Sequence, residues 1–177
     1  MHQRVGKGNW CVGIRRAPGR RADNSGMRVR QVMTRHPVCC TPQTTLGAAA
    51  VLMSESACGT LPVVSRGRTV GMITDRDICL GLGAAQCLPN ELPVADVMSG
   101  AVHVCRQDDN LGAALETMQR ERVRRLPVLD DGGALVGVLS IDDVLGKTGT
   151  PEPLPDHEIV EAYRAICETA ADPGGEL

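Results

Sequence analysis

The run LPVVSRGRTVGMITDRD at residues 61–77 returns as LPVLDDGGALVGVLSIDD at 126–143. Each copy sets two β-rich stretches on either side of a polar, Gly-containing turn, Ser65 to Arg68 in one and Asp130 to Gly133 in the other. That is the pattern of a hairpin. Each copy then closes on Thr74-x-x-Asp77 or Ser140-x-x-Asp143. A hydroxyl followed three residues later by a carboxylate is the way a helix begins. Working outward, the match extends upstream at an offset of 65. Val32-Met33 pairs with Val97-Met98, Leu46-Gly47-Ala48-Ala49 with Leu111-Gly112-Ala113-Ala114, and Met53 with Met118. Between residues 32–67 and 97–132, 12 of 36 positions are identical without a gap. One extra residue in the second turn moves the offset to 66, and Val70-Gly71 then meets Val136-Gly137. Identities that keep one order over this length mark an internal duplication.

Each copy predicts the same elements. A short strand comes first, Val38 to Thr41 and Val102 to Cys105. A helix follows, capped by Thr44 or Thr45 in the first copy and by Asp109 in the second. Its buried face is predicted as Leu46, Ala49, Ala50 and Met53, and as Leu111, Ala114, Leu115 and Met118. The hairpin strands are Leu61 to Val64 with Thr69 to Ile73, and Leu126 to Leu129 with Leu135 to Leu139. Short helices starting near Asp75 and Ile141 complete the units. The fold class is α/β (α+β): two βαββα repeats in a pseudo-twofold module, since a unit of this size is marginal alone. The chain divides into a basic, disordered extension (1–27), repeat one (28–82), a linker (83–93), repeat two (94–147), a second linker (148–155) and a C-terminal helix and tail (156–177). In that last segment Ile159, Tyr163, Ile166 and Ala170 fall at helical spacing, with Asp156 as cap.

Composition narrows the function. The chain has 177 residues, 42% of them hydrophobic and 23% charged, as in ordinary globular proteins. One Trp, one Tyr and no Phe leave nothing to build an aromatic stacking platform for single-stranded nucleic acid. No apolar run reaches the 18 or so residues of a membrane span, and Met1 to Arg21 lacks the apolar core of a signal peptide. The expected location is the cytoplasm. Net charge is −2 but uneven: residues 1–30 hold eight Lys/Arg against Asp23, and residues 150–177 hold seven Asp/Glu against Arg164. The eight Cys include no Cys-x-x-Cys, so neither a zinc ribbon nor a thioredoxin-type motif is present.

The duplicated pattern resembles a tandem pair of cystathionine-β-synthase (CBS) domains, the Bateman module. The resemblance rests on Val-Met-Thr and Val-Met-Ser openings, the two Leu-Pro-Val strands, and the two Gly-apolar-apolar-(Thr/Ser)-x-x-Asp closures. It covers about 120 residues and leaves out both ends of the chain. It implies a stand-alone regulatory module that binds an adenosine nucleotide such as AMP, ADP or ATP, or another adenosyl ligand, as an energy or metabolite sensor. No cofactor is required. Asp77 and Asp143 would hold the ribose beside Thr74 and Ser140. Val38, Cys39 and Cys40, and His103, Val104 and Cys105, would line the adenine pockets. Arg124 and Arg125, before the second Leu-Pro-Val, would contact phosphate, reaching the Thr74/Asp77 site across the pseudo-twofold, with Arg76 adding charge there. Gly59-Thr60 stands where the second copy has the two arginines, so the copies are expected to be unequal. A homodimer, and a protein partner that reads the bound state, also follow from the resemblance.

Blander readings stand beside these. Thr/Ser-x-x-Asp is a capping box in any helix. The strand residues suit core packing, and the arginines suit a solvated helix end. A metal- or redox-responsive stress protein of the same fold would use His36, Cys40, His103 and Cys105, although their spacings match no known zinc signature. A structural dimerisation module is a further alternative. The arginine pairs near the N-terminus could touch nucleic acid nonspecifically, but basic Gly-rich tails need not fold. No nucleophile–base pair, Walker loop or metalloprotease helix appears, so the chain is expected not to be an enzyme.

Overall fold

The computed structural model describes residues 14–16, 26–146 and 156–167. The predictions for Ala170, for the second linker and for most of the N-terminal extension lie outside the described residues. Within that extension Ile14–Arg16 forms a strand, β1, so the expectation of disorder does not hold there.

The chain separates into two units, one built on Val38–Val102 and the other on Arg15–Pro37 together with His103–Leu177. The first unit contains α1 (Leu46–Glu55), the antiparallel hairpin β3 (Thr60–Ser65) and β4 (Arg68–Thr74), and α2 (Asp75–Ala85). The helices pack on the hairpin and on each other. Cys40 runs parallel beside Val63 as an isolated bridge rather than a full strand. The core is Leu46, Ala49, Met53, Leu61, Val63, Ile73 and Ile78, joined by Val94 and Met98. Thr45 caps α1 by accepting from the Ala48 amide at 3.2 Å. Ala50, expected on the buried face, is exposed, because the packed stripe of this short helix is narrower than its apolar sequence.

The second unit contains β2 (Thr34–Arg35), β5 (Val102–Arg106), α3 (Leu111–Glu121), the hairpin β6 (Arg125–Leu129) and β7 (Leu135–Ser140), α4 (Ile141–Leu145) and α5 (Asp156–Cys167). Its sheet has the order β1-β5-β6-β7-β2, with β5 and β6 parallel. The α3 cap is Asn110, whose side chain accepts from the Gly112 amide at 2.8 Å. Asp109 instead accepts from the Arg106 amide at 2.7 Å and tightens the preceding turn. Helix α5 packs on α3 and α4 through Ile159, Ala162 and Ile166, each 5% exposed or less. Tyr163, predicted on that face, is 40% exposed.

The units cut across the sequence repeats. The opening segment of repeat one folds into the second unit: the Val29 amide donates to Asp109 O at 3.1 Å, the Leu111 amide to Met27 O at 2.9 Å, and β2 pairs with β7. The opening segment of repeat two likewise belongs to the first unit, where the Leu46 amide donates to Leu92 O at 2.9 Å and the Val94 amide to Thr44 O at 2.8 Å. The reason shows in two matched contacts. A Cβ on Gly137 would lie 2.6 Å from Met33 Sδ, and one on Gly71 would lie 2.6 Å from Met98 Sδ. Each glycine leaves the space that the other repeat's leading methionine fills.

Candidate functional site

At the carboxyl end of β4 the chain turns into α2, and Thr74 and Asp77 close a reciprocal cap. The Asp77 amide donates to Thr74 Oγ1 at 3.1 Å. The Thr74 amide and hydroxyl both donate to Asp77 Oδ2, at 2.9 and 2.7 Å. All the capping therefore falls on one carboxylate oxygen. Asp77 is half-buried, and its Oδ1 has no hydrogen-bond partner among the described residues. The start of α2 also carries the positive end of the helix dipole, which favours an anion or a carboxylate there. Asp75 and Arg76 are exposed beside it, and the Arg76 amide donates to Asp75 Oδ1 at 2.7 Å.

Thr74 lies opposite Thr60 in the hairpin. Because Cys40 runs parallel to Val63, Val38 and Cys39 lead toward the Thr60 end of β3, the end that bears Thr74. Val38 is 39% exposed and Cys39 is exposed. Cys40 is buried in the core, so its side chain is a packing residue. Gly59 completes this end: a Cβ there would come within 2.9 Å of Asp75 Oδ2.

The second unit repeats the cap with a different outcome. The Ser140 amide donates to Asp143 Oδ2 at 2.9 Å and the Asp143 amide to Ser140 Oγ at 3.0 Å. Here Oδ1 faces the Thr34 hydroxyl at 3.5 Å. Arg125 lies opposite Ser140 across the hairpin, with its guanidinium 4.0 Å from Asp142. Arg124 donates to Cys167 Sγ at 3.4 Å. Val104 and Cys105 are buried. His103 is partly exposed, its Nδ1 3.5 Å from Glu121 Oε2. Thr34 is a site neighbour that motif reading missed. Its signal was the repeat itself, since Thr34 and Ser99 follow the matched Val-Met pairs. Ser99, in the first unit, uses its hydroxyl differently, donating to Met72 O at 3.1 Å.

Among the described residues no group of three or more His, Cys, Asp or Glu is arranged to hold an ion, so His36, Cys40, His103 and Cys105 do not form one. Burial, and then Cys39 beside it, push the Cys40 thiol up to about 11. Burial, and then Asp109, push Cys105 up to about 12. Among the described residues no helix is long and apolar enough to cross a membrane.

Fold and helix caps together define a duplicated α/β module, and comparison with known proteins names it. A family model of the CBS domain matches residues 29–83 and 94–148; the chain belongs to the CBS domain family. It is 35% identical over 116 residues to the CBS domain-containing protein YhcV of Bacillus subtilis, covering 66% of this chain and 81% of that one. It is 32% identical over 143 residues to hypoxic response protein 1 of Mycobacterium tuberculosis, covering 80% and 95%. Among solved structures, Hypoxic Response Protein I with two coordinated zinc ions matches with TM-score 0.62 at 30% identity, covering 73% of this chain and 100% of that one. CBSX2 in complex with AMP matches with TM-score 0.59 at 30% identity, covering 68% and 95%. Matches to archaeal inosine-5'-monophosphate dehydrogenases span 26–27% of those enzymes' length.

Proposed function

We propose that this chain is a regulatory, non-catalytic sensor that binds an adenosine nucleotide at the start of α2 in the first unit. The observation that carries the reading is the division of labour on Asp77. Oδ2 serves the cap, and Oδ1, with no hydrogen-bond partner among the described residues, lies beyond the end of a strand, where a vicinal diol could donate to it. Capping and ribose binding thus become compatible in one residue. Thr74 fixes the carboxylate, Val38 and Cys39 offer strand backbone to a base, and Arg76 is the nearby cation within the unit. A solved relative in complex with AMP supports the ligand class.

The second unit supports a weaker site. Asp143 already has Thr34 at its outer oxygen. Arg125 has Asp142 within 4.0 Å, which offsets the charge a phosphate would seek. Ser140, Asp143, His103 and Arg124 remain its candidate contacts. A ligand acts as a signal when it binds one conformation better than another, and a protein partner would read the difference.

The test is thermal melting with AMP, ADP, ATP, NAD and S-adenosylmethionine, for the parent chain and Asp77→Ala. Ligand at 100 times its dissociation constant should add about 2.7 kcal/mol of stability. A shift with an adenosyl compound that disappears in Asp77→Ala supports the reading. No shift with any of them, or a shift that survives the substitution, overturns it.

A further inference from the structure

Alternate residues of an extended strand turn their N–H and C=O to opposite edges of the sheet. In the first unit Cys40 uses both groups on β3: its amide donates to Pro62 O at 3.0 Å, and its carbonyl accepts from the Val64 amide at 2.8 Å. Its neighbour Cys39 therefore turns its own N–H and C=O away from β3, where neither has a hydrogen-bond partner among the described residues.

The duplication builds the same edge in the second unit. Val104 and Cys105 stand where the first unit has Cys39 and Cys40. Cys105 lies beside Val128 of β6, and the Gln107 amide donates to Leu129 O at 3.0 Å. Cys105 and Gln107 thus face β6, and Val104 faces the other way. On that side the sheet continues, since its order is β1-β5-β6-β7-β2. The edge that is open in the first unit is occupied in the second by Ile14–Arg16. This strand lies upstream of residue 29, where the first family match begins, so it is no part of the duplication and has no twin for the first unit. A second upstream residue reaches the same site: Thr34 stands 3.5 Å from Asp143 Oδ1, whereas its repeat counterpart Ser99 donates to Met72 O.

On the reading of Asp77 and the Cys39 edge as a nucleotide site, we infer that β1 and Thr34 are the chain's own occupants of the matching site in the second unit. β1 holds the backbone edge that a base would read, and Thr34 holds the carboxylate oxygen that a ribose would use. A sheet edge accepts one further strand through main-chain pairing. A nucleotide at the second unit must displace that strand, so its apparent dissociation constant rises as the open fraction falls. Two similar repeats then present one open site.

Two measurements on the full chain test this, with circular dichroism to confirm folding. Hydrogen exchange needs no ligand. The Val104 amide should be protected in the parent and exchange about 10-fold faster or more in Arg15→Pro/Arg16→Pro, because one of two adjacent residues turns its N–H to the partner strand and proline has none. Arg15→Gln/Arg16→Gln removes the charges and keeps the backbone donors, so it should leave that amide protected. Calorimetric titration with AMP and with ATP then counts sites: one equivalent per parent chain, and two when Thr34→Ala is added to the proline pair. A Val104 amide that exchanges as fast in the parent as in the proline variant, loss of protection in the glutamine pair, or a parent that takes two equivalents would overturn the assignment. So would a Thr34→Ala proline variant, open at Val104, that still takes one, although the first unit's site would then stand. A parent that binds neither nucleotide would remove both sites together.

Discussion

Gly137→Ala puts the exchange of leading segments to a direct test. The new Cβ would lie 2.6 Å from Met33 Sδ, 3.1 Å from Met33 Cγ and 2.9 Å from Thr34 O. Ordinary contact is about 3.5–4.0 Å. The Met33 sulfur ends a flexible side chain, but Met33 is 8% exposed and packed in the second unit's core, so it has little room to swing. Thr34 O is backbone, held by the β2–β7 pairing. Either the methionine repacks or β2 moves. Overpacking of this kind costs about 1–3 kcal/mol. For a chain of this length, about 2 kcal/mol lowers Tm by roughly 4–8 °C. Gly71→Ala should cost less, because its nearest backbone atom, Ser99 O, is 3.1 Å away. Calorimetry of both variants reads the order. Met33→Ala added to Gly137→Ala should give a loss smaller than the sum of the two single losses, since contacting sites couple. A Gly137→Ala chain that melts with the parent, or strictly additive losses, would refute the packing argument.

Without ligand, Asp77→Ala and Asp143→Ala should each cost about 1 kcal/mol, the usual worth of a helix cap; urea titration measures both, and a much larger loss at either would mean the carboxylate does more than cap. Ile159→Ala should cost about 2–5 kcal/mol, because that side chain is 2% exposed in the second unit's core; a loss under 1 kcal/mol would show that α5 is not firmly seated. Cys39, Cys79 and Cys167 should react with a thiol reagent in the native state, while Cys40 and Cys105 stay protected until unfolding. The raised pKa of Cys40, about 11 against an ordinary 9.0, means that the folded state holds its proton longer than the unfolded one. Its contribution is therefore complete below pH 9 and is lost as pH rises from 9 through 11, so melts across that range should fall in Tm, and less so for Cys40→Ala.

The helix caps were largely legible because capping is local. Thr74-x-x-Asp77 and Ser140-x-x-Asp143 need no distant partner to close, and they closed as read. Asp109 failed as a cap because Asn110, one residue on, was equally suited by type and better placed at the turn. Ala50 failed because an alanine in an apolar run carries no sign of which side faces the sheet. Cys39 and Cys40 were legible as a pair, since adjacent strand residues point to opposite faces, and Cys40 is the inner one.

Sequence alone determined that the chain is a duplicated α/β protein of the CBS type, because repeats, hairpin turns and caps are written in short spans of residues. The tertiary structure decided what those spans join. The leading Val-Met of each copy packs against the glycine of the other copy's hairpin, Met98 against Gly71 and Met33 against Gly137, pairings between distant positions that no local period encodes. It also decided the inequality of the two caps. Asp77 and Asp143 are the same residue in the same motif, but Thr34 reaches Asp143 from 109 positions away, and Asp77 has no such partner at its outer oxygen among the described residues. Local chemistry set the elements, and the partner of a single carboxylate oxygen was settled by which distant segment came to lie beside it.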